Sequence, residues 1–504
     1  MSEREIERLG IVGAGAMGRG IAQLFAQSGL EVRLFDIEAG AVKAALESVS
    51  AVWDRLVEKG RLSAAEAEAA RARLLPADSL EQFKDCDLVV EAVVEKLEVK
   101  TALFAQLEGI VEPGAILASN TSSLSITAIA AACARPGRVA GLHFFNPVPL
   151  MKLVEIVAGE RSAPETLAAL EALVARSGHK GVRVGDTPGF LVNHAGRAYG
   201  TEALKLLQEG VAPPVVVDRV AREAGGFRMG PFELLDLTAL DVSIPVMESI
   251  YRGFYEEPRL QPAEIGRRRL TAGLLGRKAG EGFYRYGEDG QKLLIEAPEP
   301  PKARLPANLA VAGEGWAADA LRAWAKAQGL DLLSPSTAAL ILVAPLGEDV
   351  SSLCARLDLD AKRTLGMDAV FGLKSHRTLA TNPATLPEKA AEALALARKD
   401  GTPASLIKDS PGLLLQRLVA GIVNLASEIA QLGIASPADI DAAVTLGLGY
   451  PKGPLAWGDA LGPEKVLEIL RGLEAATGDP RYRPSLWLRR RAELGLSLLT
   501  EEGA

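Results

Sequence analysis

Cysteine is nearly absent from this chain. Cys86, Cys133 and Cys354 lie far apart in 504 residues, an odd set without CxxC spacing, which gives neither a disulfide framework nor a thiolate metal site. His143, His179, His194 and His376 are the only histidines, and no HExxH or HxH arrangement occurs, so no metal centre is expected. Long apolar runs are lacking as well. A stretch such as Ala338–Pro345 falls far below the ~18 residues needed to span a bilayer, and the charged start MSEREIERLG has no signal-peptide core. Lys and Arg form no blocks, and the formal net charge is −8, a field that repels a polyphosphate backbone. These absences point to a cytoplasmic chain with neither nucleic acid nor membrane as partner.

What is present is the balance of a folded protein, 48% hydrophobic and 24% charged residues, long enough for three or four domains of about 150 residues each. Leu9 to Asp36 read LGIVGAGAMGRGIAQLFAQSGLEVRLFD: an apolar run, Gly13-x-Gly15-x-x-Gly18, an amphipathic helix and a second apolar run ending in an acid. This is a βαβ unit with a dinucleotide turn. Gly13 permits the turn, Gly15 lets backbone approach a pyrophosphate, and Gly18 lets helix and strand pack closely. Asp36 stands where an acid binds the adenosine ribose hydroxyls, and its charge repels a 2′-phosphate. NAD is therefore favoured over NADP, with Arg33 nearby as the one opposing sign.

Further apolar runs at Leu88–Val90, Ile116–Ala118 and Val139–Leu142 alternate with helical patterns such as Leu97–Leu107, as in a parallel sheet wrapped by helices. Ligands in such sheets sit beyond the carboxyl ends of strands. That places Glu91 and Glu95, then Ser119 to Ser123, then His143 on the cofactor side. Twelve residues after His143, Glu155 is embedded in KLVEIV. An acid among aliphatic neighbours is costly to bury unpaired, which makes His143 a plausible partner. Oxidising an alcohol with NAD needs a base for the hydroxyl proton, and an ordinary imidazole suits that role near neutrality. Read alone, a histidine at a strand end is more often a structural hydrogen-bonder.

The segments SNTSSLSI, HFFNPVPLMKLVEIV, DTPGFLVN, GPFELLDLTALD and RKAGEGFYRY, in this order, resemble the (S)-3-hydroxyacyl-CoA dehydrogenase family over roughly Leu9 to Tyr286. The resemblance implies an α/β Rossmann domain, then an all-α helical domain whose counterpart mediates dimerisation, and NAD-dependent oxidation of an acyl-CoA substrate. It implies that His143 is the general base and Glu155 its orienting partner. Ser122 and Asn193 would hydrogen-bond the reacting oxygen from two sides, and Asn146 would shape the nicotinamide pocket. Glu95 and Lys100 resemble a pair contacting the nicotinamide ribose, against the alternative of a solvated ion pair on a helix face. Lys59, with Arg61 beside it, resembles a CoA contact, against the alternative of a helix-dipole partner.

The chain also repeats itself. Asp186–Asp236 aligns without a gap onto Asp409–Asp459 at an offset of 223, with 14 identities in 51 positions, so a second helical domain with matching turns is implied. Leu309–Leu333 aligns with the first βαβ unit at an offset of 300. Gly313 and Gly315 survive there, but Gly18 becomes Ala318, Trp316 enters the turn, and Asp36 maps onto Ser336, which speaks against NAD binding. The drop in offset removes 77 residues, in part the helical arm corresponding to Ala41–Arg73. His376 stands roughly where the first copy has its catalytic strand, with no acid following in LATNPATLP, and Gln416 replaces Asn193.

The expected order is thus a Rossmann domain over 1–184, a helical domain over 185–290, a Pro-rich linker over 291–308, a degenerate Rossmann-like domain over 309–404 and a second helical domain over 405–504. The second pair is expected to be structural, its helical part forming an intrachain pseudo-dimer with the first, with homo-oligomers also open. Long chains of this kind resemble bacterial enzymes acting on 3-hydroxyadipyl-CoA or 3-hydroxybutyryl-CoA in fatty-acid or phenylacetate-type aromatic catabolism. Three other readings compete. The 2-methyl-3-hydroxy acid dehydrogenases share a similar glycine fingerprint but rely on a lysine rather than a His/Glu pair, and HFFNP argues against them; a related enzyme could act on a free hydroxy or sugar acid, and a nucleotide-binding structural protein would have no activity.

Overall fold

The computed structural model describes residues 5–293 and 303–502, so half of the linker expected over 291–308 lies outside the described residues. The chain divides into two compact units, residues 1–194 with 432–448, and residues 195–431 with 449–504.

The first unit is built on eight strands: β1 Arg8–Val12, β2 Glu31–Phe35, β3 Leu74–Pro76, β4 Leu88–Glu91, β5 Ile116–Ser119, β6 Val139–Phe144, β7 Leu153–Ala158 and β8 Lys180–Gly185. They lie in the order β3-β2-β1-β4-β5-β6-β7-β8, parallel throughout except that β6 and β7 are antiparallel. The sheet is doubly covered, and β4, β5 and β6 are buried from end to end, which is why they read as unbroken apolar runs rather than alternating ones. Helix Ala16–Gln27 packs its Ile21, Ala22 and Phe25 into this core. Strand order reverses between β1 and β4, and the first glycine turn opens there.

Residues 432–448, from the second copy, also belong to this unit. The Gly185 amide donates to the Ile434 carbonyl at 2.8 Å, and Lys180 pairs with Asp439 at 3.1 Å.

The second unit holds the other sheet, β9 Leu309–Ala312, β10 Leu340–Val343, β11 Thr364–Met367, β12 Arg377–Ala380 and β13 Ala404–Ile407, in the order β13-β12-β11-β10-β9. The last strand crosses the boundary expected at 404. β11 and β12 are antiparallel, as β6 and β7 are, but the sheet has five strands against eight. The counterpart of β2 is reduced to one bridge between Leu309 and Leu332, and no arm like helices Ala41–Glu58 and Ala64–Arg73 intervenes.

The helices of both copies share this unit. Helices Arg197–Gln208 and Leu415–Gln431 pack on each other, joined by Arg417, which is 1% exposed and donates to Glu202 at 2.6 Å and to Glu209 at 2.7 Å. The repeat is visible in the backbone itself. Phe190 and Leu413, equivalent at the offset of 223, both take positive φ, 50° and 54°, a conformation costly for side chains with a Cβ. The Lys408 amide donates to the Val211 carbonyl at 3.0 Å, the same bond, 223 residues on, as that from Gly185 to Ile434.

Candidate active site

The glycine turn is shaped for a dinucleotide. A Cβ on Gly18 would lie 1.8 Å from the Gly13 carbonyl oxygen, and one on Gly13 would lie 2.5 Å from the Ala92 carbonyl oxygen, whereas Gly15 faces open space. Two of the three glycines are thus demanded by backbone packing, and the third leaves room for a pyrophosphate over the start of helix Ala16–Gln27. Asp36 follows β2 and accepts from the Ala14 amide at 2.6 Å and the Glu38 amide at 2.9 Å. Arg33 does not oppose it. Its guanidinium is held by Asp85 at 2.5 Å and Glu31 at 2.8 Å, and those hydrogen bonds push its pKa further up.

On the antiparallel pair β6 and β7, His143 stands opposite Glu155 in register, and the side chains meet at 2.6 Å from Nδ1 to Oε2. Glu155 is fully buried, and its other oxygen, Oε1, accepts the amides of Leu191 at 3.0 Å and Val192 at 2.7 Å. Those amides are aimed by the left-handed Gly189–Phe190 turn, whose Phe190 ring also lies 5.8 Å from the imidazole. Backbone strain at Phe190 is offset where its two successors satisfy a buried carboxylate. With Oε1 engaged as acceptor, Oε2 takes the Nδ1 proton of a neutral imidazole, which leaves the Nε2 lone pair as the basic one. Asn193 follows directly in helix Val192–Ala195.

The loop after β5 forms the facing wall. Glu95 Oε1 accepts from Thr121 Oγ1 at 2.6 Å, the Ser122 amide at 3.0 Å, Ser123 Oγ at 3.0 Å and Ser122 Oγ at 3.4 Å. Burial pushes the Glu95 carboxyl up, but the Thr121 hydrogen bond and the Lys100 charge outweigh it and hold the group below its ordinary range. Asn120 Oδ1 accepts from the Phe144 amide at 2.9 Å, so this loop is also tied to the residue after His143. Neither Asn120 nor Glu91 was assigned a role from sequence. The signal for Glu91 was present all the same, an acid closing a wholly apolar strand, as Glu155 sits within one.

Lys100 is not the solvated ion-pair member that its helix position allows. It is 1% exposed, with Nζ at 2.8 Å and 2.9 Å from the Glu91 oxygens and 3.3 Å from Glu95 Oε2, so it reaches the cofactor side through Glu95. Asn146 stands exposed just beyond β6. Lys59 stands exposed as the C-cap of helix Ala41–Glu58, and no hydrogen bond among the described residues joins it to the His143 group.

The second copy keeps the antiparallel strand pair but not the residues that stand on it. Pairing of Gly366 with Ala380 repeats that of Gly141 with Val157, which makes Asp368 the counterpart of His143 and Thr378 that of Glu155. His376 is therefore displaced from the place expected for it. It precedes β12, is 1% exposed, and bonds Ser405 Oγ at 2.9 Å and Glu223 at 2.6 Å. Its acid comes from 153 residues away, which a search of the following residues could not find. Gln416 donates to Asp368 at 3.2 Å and to the Pro345 carbonyl at 2.9 Å. Near Gly313, a cavity of about 840 Å³ is lined by Glu314, Glu348 and Glu468 as well as Arg322 and Arg356. Arg322 is spent on Asp319 at 2.6 Å and on the Gly313 carbonyl, and Trp316 donates to Glu468 at 3.0 Å. Three carboxylates around such a turn disfavour a pyrophosphate.

A dinucleotide turn, an acid after β2 and a His–Glu pair across strands β6 and β7 define an NAD-dependent dehydrogenase with an appended helical domain. Residues 8–187 match the family 3-hydroxyacyl-CoA dehydrogenase, NAD binding domain, and residues 189–286 and 412–503 match 3-hydroxyacyl-CoA dehydrogenase, C-terminal domain. The chain belongs to the 3-hydroxyacyl-CoA dehydrogenase family. It is 38% identical over 491 residues to the 3-hydroxyadipyl-CoA dehydrogenase of Escherichia coli (strain K12), covering 97% of this chain and 98% of that one. A crystal structure of 3-hydroxybutyryl-CoA dehydrogenase from Escherichia coli K12 matches with TM-score 0.86 at 37% identity, covering 97% and 99%. A probable 3-hydroxybutyryl-CoA dehydrogenase of Deinococcus radiodurans is 40% identical over 279 residues, covering 55% of this chain and 100% of that one.

NAD is the cofactor, and the activity is NAD-dependent 3-hydroxyacyl-CoA dehydrogenation in fatty-acid and short-chain acyl-CoA catabolism. Among the described residues no helix is long and apolar enough to cross a membrane, and no His, Cys, Asp and Glu cluster could hold a metal ion.

Proposed function

We propose that His143 takes the hydroxyl proton of an (S)-3-hydroxyacyl-CoA and that Glu155 fixes its tautomer and stabilises the imidazolium formed. The observation that supports this is the double engagement of Glu155, with two amides on one oxygen and His143 on the other. Bound NAD supplies the hydride acceptor. Ser122 and Asn193 hold the substrate oxygen from two sides. Gly13, Gly15 and Gly18 hold the pyrophosphate, Asp36 the adenosine ribose, and Glu95 and Asn146 the nicotinamide end, where Lys100 acts through Glu95. Lys59 and Arg61 offer positive charge to the phosphates of CoA.

The likeness along the whole chain to the 3-hydroxyadipyl-CoA dehydrogenase of Escherichia coli (strain K12) supports short acyl chains, including one ending in a carboxylate, and a place in phenylacetate-type aromatic catabolism. The enzyme works in the cytoplasm, where CoA thioesters and NAD are both held. The second copy is structural, and its helical part forms a pseudo-dimer with the first. Paired bonds support this: Arg259 donates to the Arg483 carbonyl at 2.9 Å, and Arg481 donates to the Gln261 carbonyl at 3.1 Å. Each residue of the first bond has its counterpart in the second at an offset of 222, the mark of a two-fold interface.

A panel of (S)- and (R)-3-hydroxyacyl-CoAs from C4 to C10 with 3-hydroxyadipyl-CoA, followed by NADH absorbance, tests the reading. Turnover of the (S) compounds, best at C4 to C6, is expected. Oxidation of free hydroxy acids in their place, or no NADH from any thioester, overturns it.

A further inference from the structure

Behind the Ser122 loop lies a charge cluster whose buried member, Glu91, has no task in the reaction described above. Glu91 closes β4 and is fully buried. In the parallel register of β4 and β5 it stands beside Ser119, whose hydroxyl donates to it. The Val93 amide donates to it at 3.1 Å, and Lys100 donates to both its oxygens. Lys100 in turn lies 3.3 Å from Glu95 Oε2, and the other Glu95 oxygen gathers Thr121, Ser122 and Ser123. A continuous line of charge-assisted contacts therefore runs from the buried end of one strand to the exposed serine loop after the next.

We propose that Glu91 and Lys100 are positioning residues for the dehydrogenation: the buried Glu91–Lys100 pair fixes Glu95, and Glu95 fixes the Ser122 hydroxyl where it meets the substrate oxygen. Neither residue touches substrate. Lys100 serves as a bridge between two carboxylates, and with Lys100 in place the second of them, Glu95, stays ionised and keeps its four acceptor contacts. A carboxylate buried at a strand end is expensive unless paired, and a chain that needed only a packed core would place two apolar residues there. The pair instead joins the sheet to a loop whose geometry sets a transition-state contact, and a displacement of about 1 Å in such a contact costs on the order of 10²-fold in rate.

This proposal rests on Ser122 acting as described under the proposed function, and the experiment separates the two. Removing one partner leaves a buried charge bare, so the test is the charge-neutral double variant Glu91→Leu with Lys100→Met, compared with Ser122→Ala and with the triple variant. The readouts are kcat, KM for the acyl-CoA, NADH affinity by fluorescence and Tm. The double variant is expected to keep Tm within a few degrees of the parent and to lose far less in NADH affinity than in kcat, which falls about 10–100-fold, and adding Ser122→Ala costs almost nothing more. A double variant that turns over at the parent rate while Ser122→Ala is slow overturns the proposal and leaves the role of Ser122 intact. Parent-rate turnover by Ser122→Ala overturns that role first. Where the double variant does not fold, Glu91→Asp decides: it keeps the charge pair but withdraws it by one methylene, and kcat should fall with Tm held, whereas an unchanged kcat rejects the positioning role.

Discussion

Glu155 meets His143 at 2.6 Å with one oxygen while its other oxygen carries the amides of Leu191 and Val192. The division of labour between the two oxygens has a consequence for mutation. In Glu155→Gln the side-chain oxygen keeps the amides, and the new NH2 group faces Nδ1, which then has to accept and moves the proton to Nε2. The base is lost with little change in shape. Steady-state kinetics should show kcat reduced on the order of 10²–10⁴-fold, with Tm close to that of the parent and NADH affinity kept.

Asp368 sits at the position equivalent to His143 in the second copy, and it makes stability depend on pH. It is 1% exposed with Oδ2 unpartnered, and burial pushes its pKa from 3.8 up to about 6, against the opposing hydrogen bonds from Gln416, Phe371 and Val370. An acid whose folded value is raised binds its proton more tightly when folded. Its ionisation therefore costs nothing below about pH 4 and progressively more as pH rises towards 6, above which the cost is constant. Asp368→Asn removes that cost and keeps the acceptor for Gln416. Denaturation curves should show the variant more stable by about 3 kcal/mol at pH 8 and by about half that at pH 5.

Arg417 occupies the position equivalent to His194, next to the Gln416 that replaces Asn193, and is a clamp on Glu202 and Glu209. Arg417→Met leaves Glu202 buried with weaker pairing to Arg481 at 3.5 Å. Thermal and urea unfolding should register a loss of about 3–5 kcal/mol, while kcat well below the transition stays within twofold of the parent.

The placement of the first copy's candidate residues was legible because it is written in local motifs: Gly13 to Gly18, Asp36, HFFNP and the acid of KLVEIV each lie on or within a few residues of the strand that positions them. The parallel sheet and the helical repeat were legible for the same reason, since periodicity and turn glycines are local signals. What escaped the sequence is made by contacts across the fold. Glu91 was placed at a strand end without a role because its partner Lys100 becomes buried only when helix Leu97–Ile110 packs down. Glu223 as the acid of His376 is 153 residues distant. The equivalence of Asp368 with His143 appears only in the antiparallel register of β11 and β12, because loss of strands had shifted the alignment between the two offsets.

The account turns on His143 as the proton acceptor, and His143→Gln tests that most directly. With the preferred (S)-3-hydroxyacyl-CoA and saturating NAD, followed by NADH absorbance, kcat should fall on the order of 10²–10⁴-fold while NADH titrated into the variant binds as tightly as to the parent. Turnover within twofold of the parent would contradict it.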